Sequence, residues 1–394
     1  MSIRKRTWKA KKKDKDGNEV EVERLAWVVD YRDQHGKRCL KTFKTQAAAK
    51  KWREGKSAPE IKRGTHTPEN TSITVAEAAE DWIRRAELKG RERSTIAQYQ
   101  QHVNYHINPL VGSVKLAKLT APGMEGVRDK LLERLSRPMA KKVLSSIKGI
   151  LKDAQRRGNV SQNVAQGVSI KMEKRDMRKI KVSVDLPTKE EARQILATVE
   201  GRWRPLLVTA IFTGLRASEL RGLSWDDVKF KPKQIHVRQR ADRYNQISSP
   251  KSHAGERKVP MSPMVLNTLK EWQPACPKSD LNLVFPNGAG NIESLANIYR
   301  RGFGAVQEKC AMVVDTGRKD KGGSPIMRPK YGMHALRHFC AYWLIEQGFP
   351  PKRLQDIMGH DSMRMTFDTY GHLFPDLEDD HAKLAAGELF LVGP

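Results

Sequence analysis

Between Lys171 and Lys181 the chain is dominated by charge and shows no apolar periodicity, and a stretch of that kind has nothing to offer a packed core. It forces a division of whatever folds on either side of it. A second break runs from Thr65 to Ser72, which is polar and carries Pro68. At 394 residues the chain is too long for one ordinary core and long enough for two or three. These breaks predict three domains, residues 1–66, 67–178 and 179–394. No internal repeat or low-complexity tract is evident in the sequence.

Charge narrows the class of partner. Lys and Arg number 73 against 45 Asp and Glu, a formal charge of +28, and so positive a surface repels itself unless it meets a polyanion, nucleic acid first and an anionic membrane second. Charge alone does not separate these from a merely soluble basic protein. No stretch approaches the ~20 apolar residues a membrane span needs, and basic Met1 to Ala10 has no apolar run behind it to act as a signal peptide. A soluble, cytoplasmic, nucleoid-associated protein without membrane contact is expected. Cys39, Cys276, Cys310 and Cys340 are widely spaced and form no C-x-x-C pair, which points to neither a disulfide framework nor a zinc knuckle.

Each segment has its own periodicity. Residues 1–66 hold 20 Lys and Arg against 9 Asp and Glu. Within them a basic run ends at Asp16-Gly17, Val20 to Tyr31 follows, and Gln34-His35-Gly36 turns into Lys37 to Phe43, so a three-stranded sheet is predicted. Thr45 caps a helix from Gln46 to Glu54 that turns Ala48, Ala49 and Trp52 to the sheet. Such a ribbon can enter a major groove with Arg32, Lys37, Arg38 and Lys41 on phosphates or base edges, or it is a solvated basic face.

A helical bundle is predicted next. Thr74 caps a helix with Ala78, Ala79, Trp82 and Ile83 on one face, and Ser94 caps another with Ile96, Tyr99, Val103 and Ile107, ended by Pro109. Amphipathic stretches follow at Met124 to Leu135 and Met139 to Gln155. Arg91, Arg93, Lys141, Lys142 and Lys148 either grip a DNA backbone or are scattered surface cations. Thr188 with Glu191 is a capping box that opens the last domain.

In that domain an apolar helical run, Leu206 to Phe212, breaks at Thr213-Gly214 just before Arg216, with Glu219 three residues on and able to orient the guanidinium. His334-Ala335-Leu336-Arg337-His338 opens an apolar helix, on which positions 334, 337 and 338 share a face and can converge on one phosphate. The H-x-x-x-H spacing suggests zinc, but Ala335 stands where a zincin has its glutamate, so no metal and no cofactor is expected. Met358-Gly359-His360 ends another amphipathic helix, with Tyr370 ten residues later on a polar, mobile segment. Lys251 sits in a turn between strand-like Gln234 to Arg238 and Arg257 to Pro260. Singly, each of these has an ordinary structural explanation.

As a set, the order Arg216, Lys251, His334-x-x-Arg337, Gly359-His360, Tyr370 resembles the tyrosine recombinases, the phage integrase family, over about residues 187 to 374. Met358 replaces the family's usual Leu. The bundle resembles the family's core-binding domain, and the basic sheet, less closely, the arm-binding domain of lambda-type integrases.

The resemblance implies a multidomain protein: an N-terminal three-stranded sheet plus helix, an all-α SAM-like core-binding bundle, and a mainly α catalytic domain with a small β-sheet, the DNA breaking-rejoining fold. It implies a nucleophilic Tyr370, phosphate-binding Arg216 and Arg337 with His334 and His360, His334 as acceptor of the Tyr370 proton, and Lys251 as general acid. It further implies a site-specific recombinase acting through a 3′-phosphotyrosyl intermediate, as a homotetramer on double-stranded DNA with core and arm sites, aided by DNA-bending proteins. A type IB topoisomerase or a non-cutting regulator of the same fold would carry a related residue set. The apolar tail Leu389-Phe390-Leu391-Val392 is either a plug for a neighbouring subunit or packs on its own domain.

Overall fold

The computed structural model describes residues 1–13, 19–33, 36–62, 66, 72–171, 180–250, 252–374 and 388. The Asp16-Gly17 turn, Gln34 and His35, most of both predicted linkers, Lys251 and the Leu389 to Val392 tail lie outside them. The chain forms two compact units, Met1–Met177 and Arg178–Pro394.

The first unit begins with an antiparallel sheet of Ser2–Lys13, Glu19–Arg32 and Arg38–Phe43, in that order. Trp27 pairs with Phe43 and Tyr31 with Cys39. Strand alternation then puts Trp27, Val29 and Tyr31 on one face, where they pack with Ile3, Phe43, Ala49 and Trp52. Thr45 caps the Gln46–Trp52 helix as expected, its side chain accepting from the Ala48 amide. Ala49 and Trp52 face the sheet, but Ala48 is exposed, because one residue turns a helix by about 100°.

The helical part of this unit contains Val75–Leu88, Arg93–His102, Ala121–Arg134 and Arg137–Arg156. A full capping box of Thr74 and Glu77 opens the first. Two expectations are corrected in the second. It starts two residues earlier, with Glu92 rather than Ser94 at the cap, and it does not end at Pro109. It runs on through wider π-helical turns over Val103–Gly112, in which the proline is carried. A wider turn relieves the clash of the ring with the preceding turn that breaks a tighter helix. Trp82 and Tyr99 stack at 4.2 Å between ring centres, tying the first two helices together.

The second unit opens with Lys189–Thr198 under the Thr188 and Glu191 capping box. Trp203–Thr213 is apolar nearly all round and buried, as a central helix must be. Pro263–Ala275 and Met333–Glu346 pack on it, and Pro351–Met358 packs on Met333–Glu346, with Leu206, Leu207, Ile211, Leu336, Phe339 and Ile357 in one core. A small antiparallel sheet of Val228–Lys229, Gln234–Val237 and Arg257–Pro260 lies at its side. A hairpin of Val313–Lys319 and Pro325–Pro329, which periodicity did not reveal, is largely exposed. The architecture is thus the expected one: an N-terminal sheet plus helix, a helical bundle, and a mainly helical unit with small sheets. Among the described residues no helix is long and apolar enough to cross a membrane.

Candidate active site

Two glycines create the site. The Trp203–Thr213 helix ends in Gly214 at φ +61°, and Pro351–Met358 ends in Gly359 at φ +62°, both left-handed. That conformation stops a helix and leaves its last carbonyl groups without intrahelical partners, at the negative end of the helix dipole. Arginines take up those carbonyls. Arg337, 3% exposed, donates from Nη1 to Gly214 O at 2.6 Å and from Nη2 to Met358 O, so one guanidinium joins the ends of both helices. Arg216 donates from Nη2 to Gly359 O at 2.9 Å. Side chains at the glycines are excluded twice over. A Cβ on Gly214 meets Met358 Sδ at 2.9 Å, and one on Gly359 meets Ala254 O and Arg257 Cδ at 2.9 Å.

Glu219 orients Arg216, as its spacing suggested. It accepts from Arg216 Nη1 at 2.7 Å and from the Arg216 amide at 2.9 Å, capping the Ala217–Arg221 helix. Sequence reasoning missed its second partner. Arg257, whose side chain is 5% exposed, reaches both Glu219 oxygens at 2.8 and 3.1 Å and also holds Ile357 O and Gly255 O. Burial pushes the Glu219 carboxyl up, but the hydrogen bonds and charge of Arg257, with the charge of Arg216, reverse this and hold it at about 2. The only advance signal for Arg257 was its position at the start of a strand after the Lys251 turn.

Tyr370 requires a correction. It does not lie on a mobile polar segment but ends the Met363–Tyr370 helix, capped by Ser362, and is 1% exposed. Thr366 and Tyr370 are four residues apart, so they share the helix face turned inward. Thr366 Oγ1 lies 2.9 Å from His360 Nδ1, and the His360 ring stacks on the Tyr370 ring, 6.0 Å between centres and 12° between planes. Burial raises the Tyr370 phenol above its ordinary value, against the opposing pull of Arg337 and Arg216. Burial, then Arg337, Arg216 and Arg257, draws His360 down to about 4.

Among the described residues, the side chain hydrogen-bonded to the Tyr370 hydroxyl is that of His338, through Nδ1 at 2.8 Å. His334, assigned the Tyr370 proton by resemblance, instead meets His338 edge to face, 4.5 Å between ring centres. Partial desolvation, then Arg337 and Arg216, lowers His334. Burial, then His334 and Arg337, takes His338 down to about 4. The structure therefore brings Arg216, His334, Arg337, His360 and Tyr370 into one electrostatically coupled cluster and adds His338, Glu219, Arg257 and Thr366 to it. Lys251 lies outside the described residues.

The site thus gathers a buried phenol, three imidazoles whose basicity is lowered and two fixed guanidiniums on a mainly helical fold. Residues 187–376 match the phage integrase family, the family of the tyrosine recombinases. The tyrosine recombinase XerC-like protein of Caldanaerobacter subterraneus subsp. tengcongensis is 25% identical over 392 residues, covering 93% of this chain and 96% of its own. Two solved structures share the fold. The Tn1549 transposon integrase in complex with a circular intermediate DNA superposes with a TM-score of 0.62 at 20% identity, over 81% of this chain and 100% of the other. A lambda integrase tetramer bound to a Holliday junction gives 0.55 at 16% identity, over 86% and 93%. The chain is a tyrosine site-specific recombinase by these relationships.

Proposed function

We infer that the chain cuts and rejoins double-stranded DNA by transferring a phosphoryl group to Tyr370 and back, integrating or excising a mobile element. The observation that carries this reading is the His360 ring, stacked on Tyr370 and within electrostatic reach of Arg337 and Arg216. It links the nucleophile to the anion-binding pair in one unit.

A phosphodiester is anionic and repels nucleophiles, so catalysis must neutralise its non-bridging oxygens as the pentavalent transition state forms. Arg216, a third exposed and fixed by Glu219, has donors to offer. Arg337 supplies buried positive charge from behind; the same burial lowers it to about 10, which leaves it cationic at neutral pH. His334 and His360 complete the cradle. As Tyr370 Oη bonds to phosphorus, the bond to the 5′ oxygen breaks and Lys251 gives that oxygen a proton. The phosphotyrosyl ester stores the bond energy, and a 5′-hydroxyl from a second strand reverses the step.

The same reading assigns residues 1–66 to distal arm sites, 67–178 to the core site, and the working assembly to a homotetramer assisted by DNA-bending proteins in the cytoplasm. The lambda integrase captured as a tetramer on a Holliday junction, with the shared fold, supports the assembly. The test is incubation with a nicked duplex carrying the junction sequence beside the encoding gene. The expected outcome is a covalent adduct that resists denaturant; relaxation of any plasmid without exchange between sites points to a topoisomerase instead.

A further inference from the structure

We propose that His338 is the residue that takes the proton from Tyr370 as the phenol attacks DNA, and returns it on rejoining. The proposal rests on the recombinase reading above and replaces His334 in that one role.

Geometry is the first support. Nδ1 of His338 lies 2.8 Å from Tyr370 Oη, inside the range for direct proton transfer. The two rings meet at 64° with centres 5.7 Å apart, an edge-type contact rather than a parallel stack. His360 covers the flat face of Tyr370, and its Nδ1 is engaged with Thr366. His334 is turned toward His338. His338 is thus the imidazole placed at the reacting oxygen.

Charge state is the second. Burial keeps the Tyr370 proton on its oxygen, and burial with the neighbouring His334 and Arg337 keeps His338 neutral near pH 7, with Asp185 the opposing influence. A neutral imidazole protonated on Nε2 offers Nδ1 as an acceptor, so the phenol donates and the imidazole accepts. Burial is the main cause that holds His338 low, and a bound phosphate, by bringing negative charge beside Arg337, offsets the smaller part due to that cation, so the basicity of His338 rises when substrate arrives. In the step, the Oη–H bond breaks and the proton passes to His338 Nδ1, the Oη–P bond forms, and the P–O5′ bond breaks with a proton delivered to O5′. Rejoining runs the same transfers backward.

The experiment measures covalent-adduct formation on the nicked junction duplex by wild-type chain, Tyr370→Phe, His338→Asn and His338→Ala, with duplex binding and thermal melting as controls. Asparagine keeps an acceptor near the Nδ1 position but cannot take a proton. Both His338 variants are expected to bind DNA as wild type does and to form adduct about 10²-fold more slowly. The deficit should narrow as pH rises toward the phenol's own ionisation, and added imidazole should restore part of the His338→Ala rate. Wild-type rate in His338→Asn would show that the bond only positions the phenol and overturns the proposal, as does unchanged or faster adduct formation in both variants. Absence of adduct from wild-type chain overturns the recombinase reading itself.

Discussion

A carboxylate as buried as Glu219, 2% exposed, keeps its charge because Arg216 and Arg257 flank it. Removing it leaves two guanidiniums facing each other, the situation in which breaking a buried pair costs about 3–5 kcal/mol. Glu219→Gln is expected to lose stability of that order in urea titration and to lose most adduct formation, since Arg216 is then unaimed. Because the folded carboxyl sits at about 2, below its ordinary 4.5, its contribution is full above pH 4.5 and fades as pH falls toward 2. The stability gap between wild type and Glu219→Gln should close across that interval. His338 and His360 act in a higher window. Each is drawn down to about 4 in the folded chain, so the unfolded chain binds more protons below its ordinary 6.5. Their stabilisation is present above pH 6.5 and lost as pH falls through 4, and His360→Asn is expected to flatten the unfolding free energy over that range. Much of this was legible in the sequence. The boxes around Arg216, Arg337 and Gly359-His360 named five of the clustered side chains, and Glu219 followed from helix spacing. Arg257 and the role of His338 were not legible, because a partner 38 residues away and the choice between two imidazoles on one helix face are decided by tertiary packing alone.

At the scale of elements, the site depends on where two helices stop. Gly214 and Gly359 end them in a left-handed turn, and Arg337 and Arg216 fill the carbonyl groups left over. Gly359→Ala adds backbone strain of about 1–2 kcal/mol and a Cβ 2.9 Å from Ala254 O. We expect it to lower the melting temperature by several degrees and to reduce adduct formation more than DNA binding, because the displaced turn carries His360. Equal loss of both would place the turn in binding instead. These glycines were visible as punctuation, and the periodic helices as helices. The Pro109 stop failed because π-helical turns accommodated the ring, and the helix ending at Tyr370 was missed because only Thr366 and Tyr370 of its residues are buried. Two inward side chains in one short segment do not make a readable period.

For the whole molecule, the charged break at Lys171 to Lys181 falls where the chain divides into Met1–Met177 and Arg178–Pro394. A protein of charge +28 that neutralises several phosphates at once should lose DNA affinity steeply with salt. Deleting residues 1–66 is expected to lower that salt slope on duplexes with distal sites while leaving core-site cleavage in place; equal loss of both activities would argue against a separate arm reader. One covalent bond, from Tyr370 to phosphorus, is decisive. Wild-type chain trapped on a nicked junction duplex, digested with nuclease and trypsin, should yield the peptide Met365–Lys383 carrying a nucleotide on Tyr370 in its mass spectrum, and Tyr370→Phe should yield no adduct. An adduct that survives in Tyr370→Phe, or that maps to another side chain, contradicts the account.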